Sequence, residues 1–196
     1  MHEDNNTMES REPVVLKRYS TDQMDFRDDV SELLPEIIAR HGEEEWKATL
    51  ITNELHRHLG IYSLLGAKMG IRALEDLKAS LDALQIESRA GMSPPVSCLN
   101  DGLQVATGAS LGRGTIRVLE EGGIPAATFI KGKIRLHLSI KPHILEKIQA
   151  DVGRVVETYG LGTPDYWKEI YKLSLTYWVE MDRREIFDEI YEDPKG

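Results

Sequence analysis

Apolar residues recur every three or four positions through Phe26, Val30, Leu33, Leu34, Ile37 and Ile38, a spacing that places them on one face of a helix. Ser20, Thr21 and Asp22 supply its cap candidates, and Pro35 is expected to kink the helix or divide it. A further short helix is expected over 43–55, with Trp46 and Leu50 on one face. The next helix, over 59–80, carries a stripe of small residues: Gly60, Ser63, Ala67 and Gly70, ending at Leu74. Glycine costs helix stability, so Gly60, Gly66 and Gly70 imply either a second backbone packed closely or a wall facing a ligand.

The pattern then changes. Alternation over 84–89 predicts a strand, 91–95 a turn, and Pro94-Pro95 an extended approach to Val96-Ser97-Cys98. Asn100 or Asp101 is placed to cap a short helix over 102–108. Segments 115–119, 126–131 and 133–140 read as strands, the last two joined through Gly132. Two helices follow over 142–158 and 164–180, with Gly160 and Gly162 between them. The expected fold is α+β, a central and mainly antiparallel sheet packed with helices from both ends of the chain. Its expected divisions are a flexible segment over 1–20, one domain over 21–181, and an acidic helix or tail over 182–196.

Composition narrows the function classes. The chain has 196 residues, 41% hydrophobic and 29% charged, the balance of a globular protein. A formal charge of −9 argues against a general nucleic-acid binder, since phosphate binding needs a concentrated positive surface. It leaves room for an anionic small molecule in a local basic pocket. With a single cysteine no internal disulfide forms. Apolar runs stop short of a membrane span, and the start, Met1-His2-Glu3-Asp4, has no signal pattern. The expected setting is cytoplasmic, with no membrane partner.

The residues richest in chemistry are His56-Arg57-His58 and, forty positions beyond His58, Cys98. Residues two apart share a face only where the chain is extended, so the pair is expected to converge just before a helix starting near Leu59. A helix amino terminus favours the neutral imidazole, which is the metal-binding form. Zinc accepts this nitrogen and sulfur set, and a three-ligand site keeps a position open for substrate. The same residues also read as a metal-free pair in which imidazole activates the thiolate, or as structural groups. Asp101 is the nearest carboxylate, either a catalytic acid or base or a helix cap. Gln104 and Thr107, three residues apart, suit a ligand's hydrogen-bonding groups. Ser110-Leu111-Gly112-Arg113-Gly114 reads either as an anion-binding turn or as a tight turn with a solvated arginine. Lys131 and Lys133 flank a turn and are expected to face water; His137, in a strand-like run, reads either as completing the site or as part of a sheet face, and His143 reads as structural. The late aromatics Tyr159, Tyr166, Trp167, Tyr171, Tyr177 and Trp178 are expected to pack mostly on the sheet.

The blocks Leu55-His56-Arg57-His58-Leu59-Gly60-Ile61-Tyr62, Gly66-Ala67-Lys68-Met69-Gly70 and Pro94 to Gly114 together resemble the FmdE family, proteins related to the FmdE component of formylmethanofuran dehydrogenase. The resemblance covers roughly 45–140. It implies an α+β homodimer carrying zinc or another divalent transition metal on His56, His58 and Cys98. It also implies a link to molybdenum or tungsten enzyme metabolism, without supplying a reaction. Three positions depart from the family pattern: Arg57 replaces the glycine between the histidines, Ala109 a frequent cysteine, and Arg113 the usual lysine. The missing thiol rules out cysteine-pair chemistry within one protomer, and the single cysteine leaves no room for the zinc ribbon that many relatives carry.

Two functions follow as expectations. The first is a metal-dependent enzyme or accessory protein acting on an anionic small molecule, with Cys98 and Asp101 as catalytic groups. Gln104, Thr107, Ser110 and Arg113 would hold the ligand. The second is a metal-free homodimeric module for ligand or protein binding. A metal-free cysteine hydrolase or transferase is a third possibility.

Overall fold

The computed structural model describes residues 13–120 and 122–192, so most of the expected flexible segment, 1–12, lies outside the described residues. Three helices come first, α1 (Asp28–His41), α2 (Glu43–His56) and α3 (Ile61–Asp76). Strand β1 (Gln85–Ser88) is followed by a 3-10 turn at Val96–Cys98 and by α4 (Leu99–Thr107). Strands β2 (Ile116–Val118), β3 (Ala126–Lys131) and β4 (Ile134–Ile140) come next, then α5 (Pro142–Tyr159), α6 (Pro164–Glu180) and β5 (Phe187–Glu192). The sheet runs β2-β1-β3-β4-β5, with β1 and β2 parallel and every other pair antiparallel. This is the expected α+β arrangement, a mainly antiparallel sheet flanked by helices from different parts of the chain. Among the described residues, no helix is long and apolar enough to cross a membrane.

One face of the sheet, with Ile86, Phe129, Leu136 and Leu138, is buried in the core. Strand residues of the other parity carry an ionic ladder, Arg117–Glu87–Arg135–Glu192. This alternation is the period-two signature of a sheet with one face covered.

Several expectations change here. Helix α1 runs unbroken through Pro35. A proline removes the donor for the carbonyl four residues earlier, here Ser31, and the Gln23 side-chain amide donates to that oxygen instead at 2.8 Å. Asp22 caps a separate 3-10 turn at Gln23–Asp25, not α1. The expected acidic helix or tail is in part a strand, because 187–192 pairs with β4. Buried Ile186 and Phe187 lead into it, and Glu189 meets Arg72 at 2.7 Å. Lys131 does not face water: its ammonium donates to the Leu77 and Lys78 carbonyls at the end of α3. The late aromatics pack on helices instead of the sheet, with Trp178 stacked on fully buried Trp46 at 5.1 Å.

Two features hold the helical layer in place. Helices α3 and α4 touch backbone to backbone at Gly66 and Gly102, where a Cβ on either residue would meet main-chain atoms at 2.2 Å. The small-residue stripe therefore serves packing, the first of its two readings. Beside it lies a buried ionic cluster that the sequence pattern did not reveal. Lys68 and Glu45, both fully buried, pair at 2.5 Å. Arg183 donates to Glu45 at 3.0 Å and clasps Glu75. Burial, helped by the Lys68 charge, pushes the neighbouring His41 below its ordinary pKa, and its Nε2 donates to the Val179 carbonyl at 2.9 Å.

Candidate functional site

His56 is the last residue of α2, Arg57 its left-handed cap at φ 67°, and Gly60 the cap of α3. The histidines thus sit on a reversal between two helices, not on an extended segment, and His56 is at a carboxy terminus instead of an amino terminus. The reversal brings the rings together where alternation was expected to do so: the imidazole centroids are 4.0 Å apart. Asn53 anchors the turn, its side-chain oxygen accepting from the Gly60 amide at 3.2 Å and the Ser63 hydroxyl at 3.0 Å.

An L-residue in the left-handed region costs about 1–2 kcal/mol, while glycine's extra unfolded-state freedom returns about 0.5–1 kcal/mol of that advantage. Arg57→Gly is therefore expected to stabilise the protein by about 0.5–1 kcal/mol. The readout is a rise in urea midpoint at constant slope; an unchanged or lower midpoint would show that the Arg57 side chain makes up for its backbone.

His56 Nδ1 lies 3.2 Å from the His58 carbonyl oxygen. A carbonyl only accepts, so Nδ1–H donates, which leaves Nε2 as the nitrogen that carries the lone pair whenever the ring is neutral. That Nε2 is 3.9 Å from an oxygen of Asp101 on α4. A lone pair facing a carboxylate is a place for a cation, whether proton or metal. Burial, with His56 as neighbour, pushes His58 below the usual histidine value, which favours its neutral form.

Cys98 ends the 3-10 turn that precedes α4 and is half-buried. Pro95 there is helical, at φ −87° and ψ −16°, so the expected extended approach does not form. The helix starts at Leu99, three residues earlier than expected, and Asn100 serves as a tie instead of a cap: it accepts from Ser88 and donates to the Gly91 carbonyl. Burial first, and then the Asp101 charge, push the Cys98 thiol up. That is the opposite of the electropositive setting a nucleophilic thiolate needs.

His56, His58 and Cys98 line one groove of about 660 Å³, walled by Pro94, Pro95, Val96, α5 and α6. Trp167 of α6 stands edge-on to His58 at 5.5 Å. A smaller hollow of about 280 Å³ shares Cys98 with Asp101 and Gln104. Four of the anticipated residues therefore come together, namely His56, His58, Cys98 and Asp101. Among the described residues, however, no group of three or more histidine, cysteine or acidic side chains is close enough to hold an ion.

The remaining candidates have structural partners. Thr107 is fully buried, donates to the Leu103 carbonyl and accepts from the Ala109 amide. Gln104 accepts from the Leu111 amide and Ser110 from the Arg113 amide. Arg113 pairs with Asp82 at 2.5 Å and donates to the Gly108 carbonyl. His137 bonds Thr128 in the sheet, away from the groove. Sequence reasoning missed the opposite wall, Ile148 and Val152 of α5 with Tyr166, Trp167 and Ile170 of α6. Its signal was the apolar face of α5, which buries only Ile148 fully.

Fold and site together define a small α+β domain that places two imidazoles and a thiol on the lining of an apolar groove, with a carboxylate beside one of the imidazoles. Residues 55–194 match the family described as FmdE, molybdenum formylmethanofuran dehydrogenase operon. The chain belongs to that family. A similar solved structure is that of an FmdE-like protein of tungsten formylmethanofuran dehydrogenase from Syntrophus aciditrophicus. It is 16% identical, with a TM-score of 0.49 over 76% of this chain and 72% of that one. No curated protein matches the sequence.

Proposed function

We propose that this FmdE-family protein is a metal-dependent enzyme or accessory protein of molybdenum or tungsten enzyme metabolism. In this reading His56, His58 and Cys98 hold zinc or another divalent transition metal and a small molecule enters by the groove. The observation that supports it is the Nδ1–H of His56, whose bond to the His58 carbonyl leaves Nε2 directed at Asp101. The donor set also suits the metal, since two imidazoles and one thiol are a zinc-type combination. A bound ion would supply Lewis-acid polarisation to an oxygen or sulfur of the ligand. The chain's own residues do the rest. The His58 carbonyl orients His56, Asp101 accepts a proton at the groove mouth, and the apolar walls exclude water. A donor end that is anionic would suit this site, whereas Arg113 serves Asp82.

The metal-free homodimeric module remains the second reading, favoured by the apolar residues of α5 that the core leaves half-buried. A second copy would cover Ile144, Leu145 and Val156, which α5 leaves half-buried. Elemental analysis separates the two. Untagged protein is expected to carry close to one zinc-type ion per chain, and the His58→Ala/Cys98→Ala double variant none, with light scattering on the same samples reading a dimer. Stoichiometric metal in the double variant, or none in the parent after zinc loading, would sink the metal reading; a monomer would sink the dimer.

A further inference from the structure

The groove is lopsided in its chemistry. Its lining contains no lysine, arginine, aspartate or glutamate among the described residues. Apart from the two histidines, its polar side chains are Cys98, Gln149 and two tyrosines. About 660 Å³ lies well within the roughly 300–1,000 Å³ typical of small-molecule pockets. Trp167 is 50% exposed although tryptophan favours burial. Its ring stands edge-on to Tyr166 at 5.0 Å and to His58 at 5.5 Å, which leaves the indole available to a flat partner. Across the groove, Pro94, Pro95 and Val96 present only apolar surface. An ionic body placed here loses its water and meets no counter-charge, a costly transfer. The residue best suited by type to meet an anion, Arg113, is held by Asp82 and does not line the groove.

We propose that the groove takes a small molecule with an uncharged, flat, apolar body whose single donor end points to His56, His58 and Cys98. The direction of that end rests on the metal reading above; the chemistry of the body rests on the walls alone.

The test therefore uses chelator-treated, full-length protein, titrated calorimetrically with 2-naphthol and separately with ribose 5-phosphate. One 2-naphthol per chain is expected, with ribose 5-phosphate weaker by about tenfold or more. Trp167→Ala is expected to weaken 2-naphthol about three- to tenfold, the range of one aromatic contact. Val152→Asp, its fold checked by circular dichroism, is expected to weaken it at least as much, and both variants keep the metal content of the parent. Equal or tighter ribose 5-phosphate binding would overturn the proposal. So would unchanged 2-naphthol affinity in both variants, or self-association that displaces 2-naphthol and so gives the groove to a second copy. Because the titrated protein is metal-free, its binding of 2-naphthol supports the walls' chemistry whatever the metal content of the untreated parent, and elemental analysis alone decides the metal reading.

Discussion

Glu45→Ala is expected to cost about 3–5 kcal/mol, the range measured when one partner of a buried ion pair is removed. For a chain of this length that corresponds to a fall in Tm of roughly 6–20 °C. The reason lies in what is left behind. Lys68 is fully buried and its ammonium loses the carboxylate at 2.5 Å, keeping only the Trp178 carbonyl at 3.2 Å. Burial already pushes the Lys68 pKa down against the opposing pull of Glu45. Without Glu45 the lysine must shed its proton or carry an unpaired charge, and Arg183 loses one of its two carboxylates. The double variant Glu45→Gln/Lys68→Met should recover most of the loss, because methionine removes the buried ammonium and the glutamine amide oxygen can still accept from Arg183. Denaturant unfolding of the three proteins measures this. A single-variant loss below about 1 kcal/mol would show that the cluster behaves as an exposed pair.

Gly102→Ala is expected to destabilise by about 3 kcal/mol or more, at the upper end of overpacking effects. Helix propensity alone predicts the reverse sign, since alanine gains about 1 kcal/mol over glycine in a helix. The contact decides between them. The new Cβ would lie 2.2 Å from the Ser63 carbonyl oxygen and 2.3 Å from the Ala67 nitrogen. Both are backbone atoms of α3, so no side chain can rotate away, and α3 and α4 must separate. Gly153→Ala on α5 is the matched control, because its Cβ would meet nothing within 4 Å. There the propensity gain of about 0.5–1 kcal/mol should appear unopposed. Separation of the helices also reaches the site, since Asp101 adjoins Gly102 and faces His56 at 3.9 Å. Metal content and unfolding midpoint should fall together in Gly102→Ala. A midpoint at or above the parent's would contradict the packing account.

Much of the site was legible before its geometry was known. His56, His58, Cys98 and Asp101 were marked by residue type and spacing; the fold puts the first three on the lining of one groove and Asp101 3.9 Å from His56. The route by which they meet was not legible. Arg57 adopts a left-handed conformation that a local pattern assigns to glycine, and this turn replaces the extended segment that alternation suggested. The residues after Cys98 have local partners that their types alone did not show. Thr107, Ser110 and Arg113 have the types of a ligand cradle, yet each closes the end of α4 or the loop beyond it.

Periodicity and capping act within a turn or two of the chain. They were enough for six helical segments, four of the five strands among the described residues and the α+β class, and residue type was enough to mark the donor groups. Contacts between distant positions decided the rest. They buried Lys68 against Glu45, 23 residues away, and fitted Gly66 against α4. They gave 187–192 a partner in β4 and so made a strand of an acidic tail. They also set α5 and α6 across from Pro94 and Cys98 to make the groove. Burial, ion pairing and pocket walls are properties of surfaces that meet only once the chain is folded, and their energies outweigh local propensity wherever the two conflict.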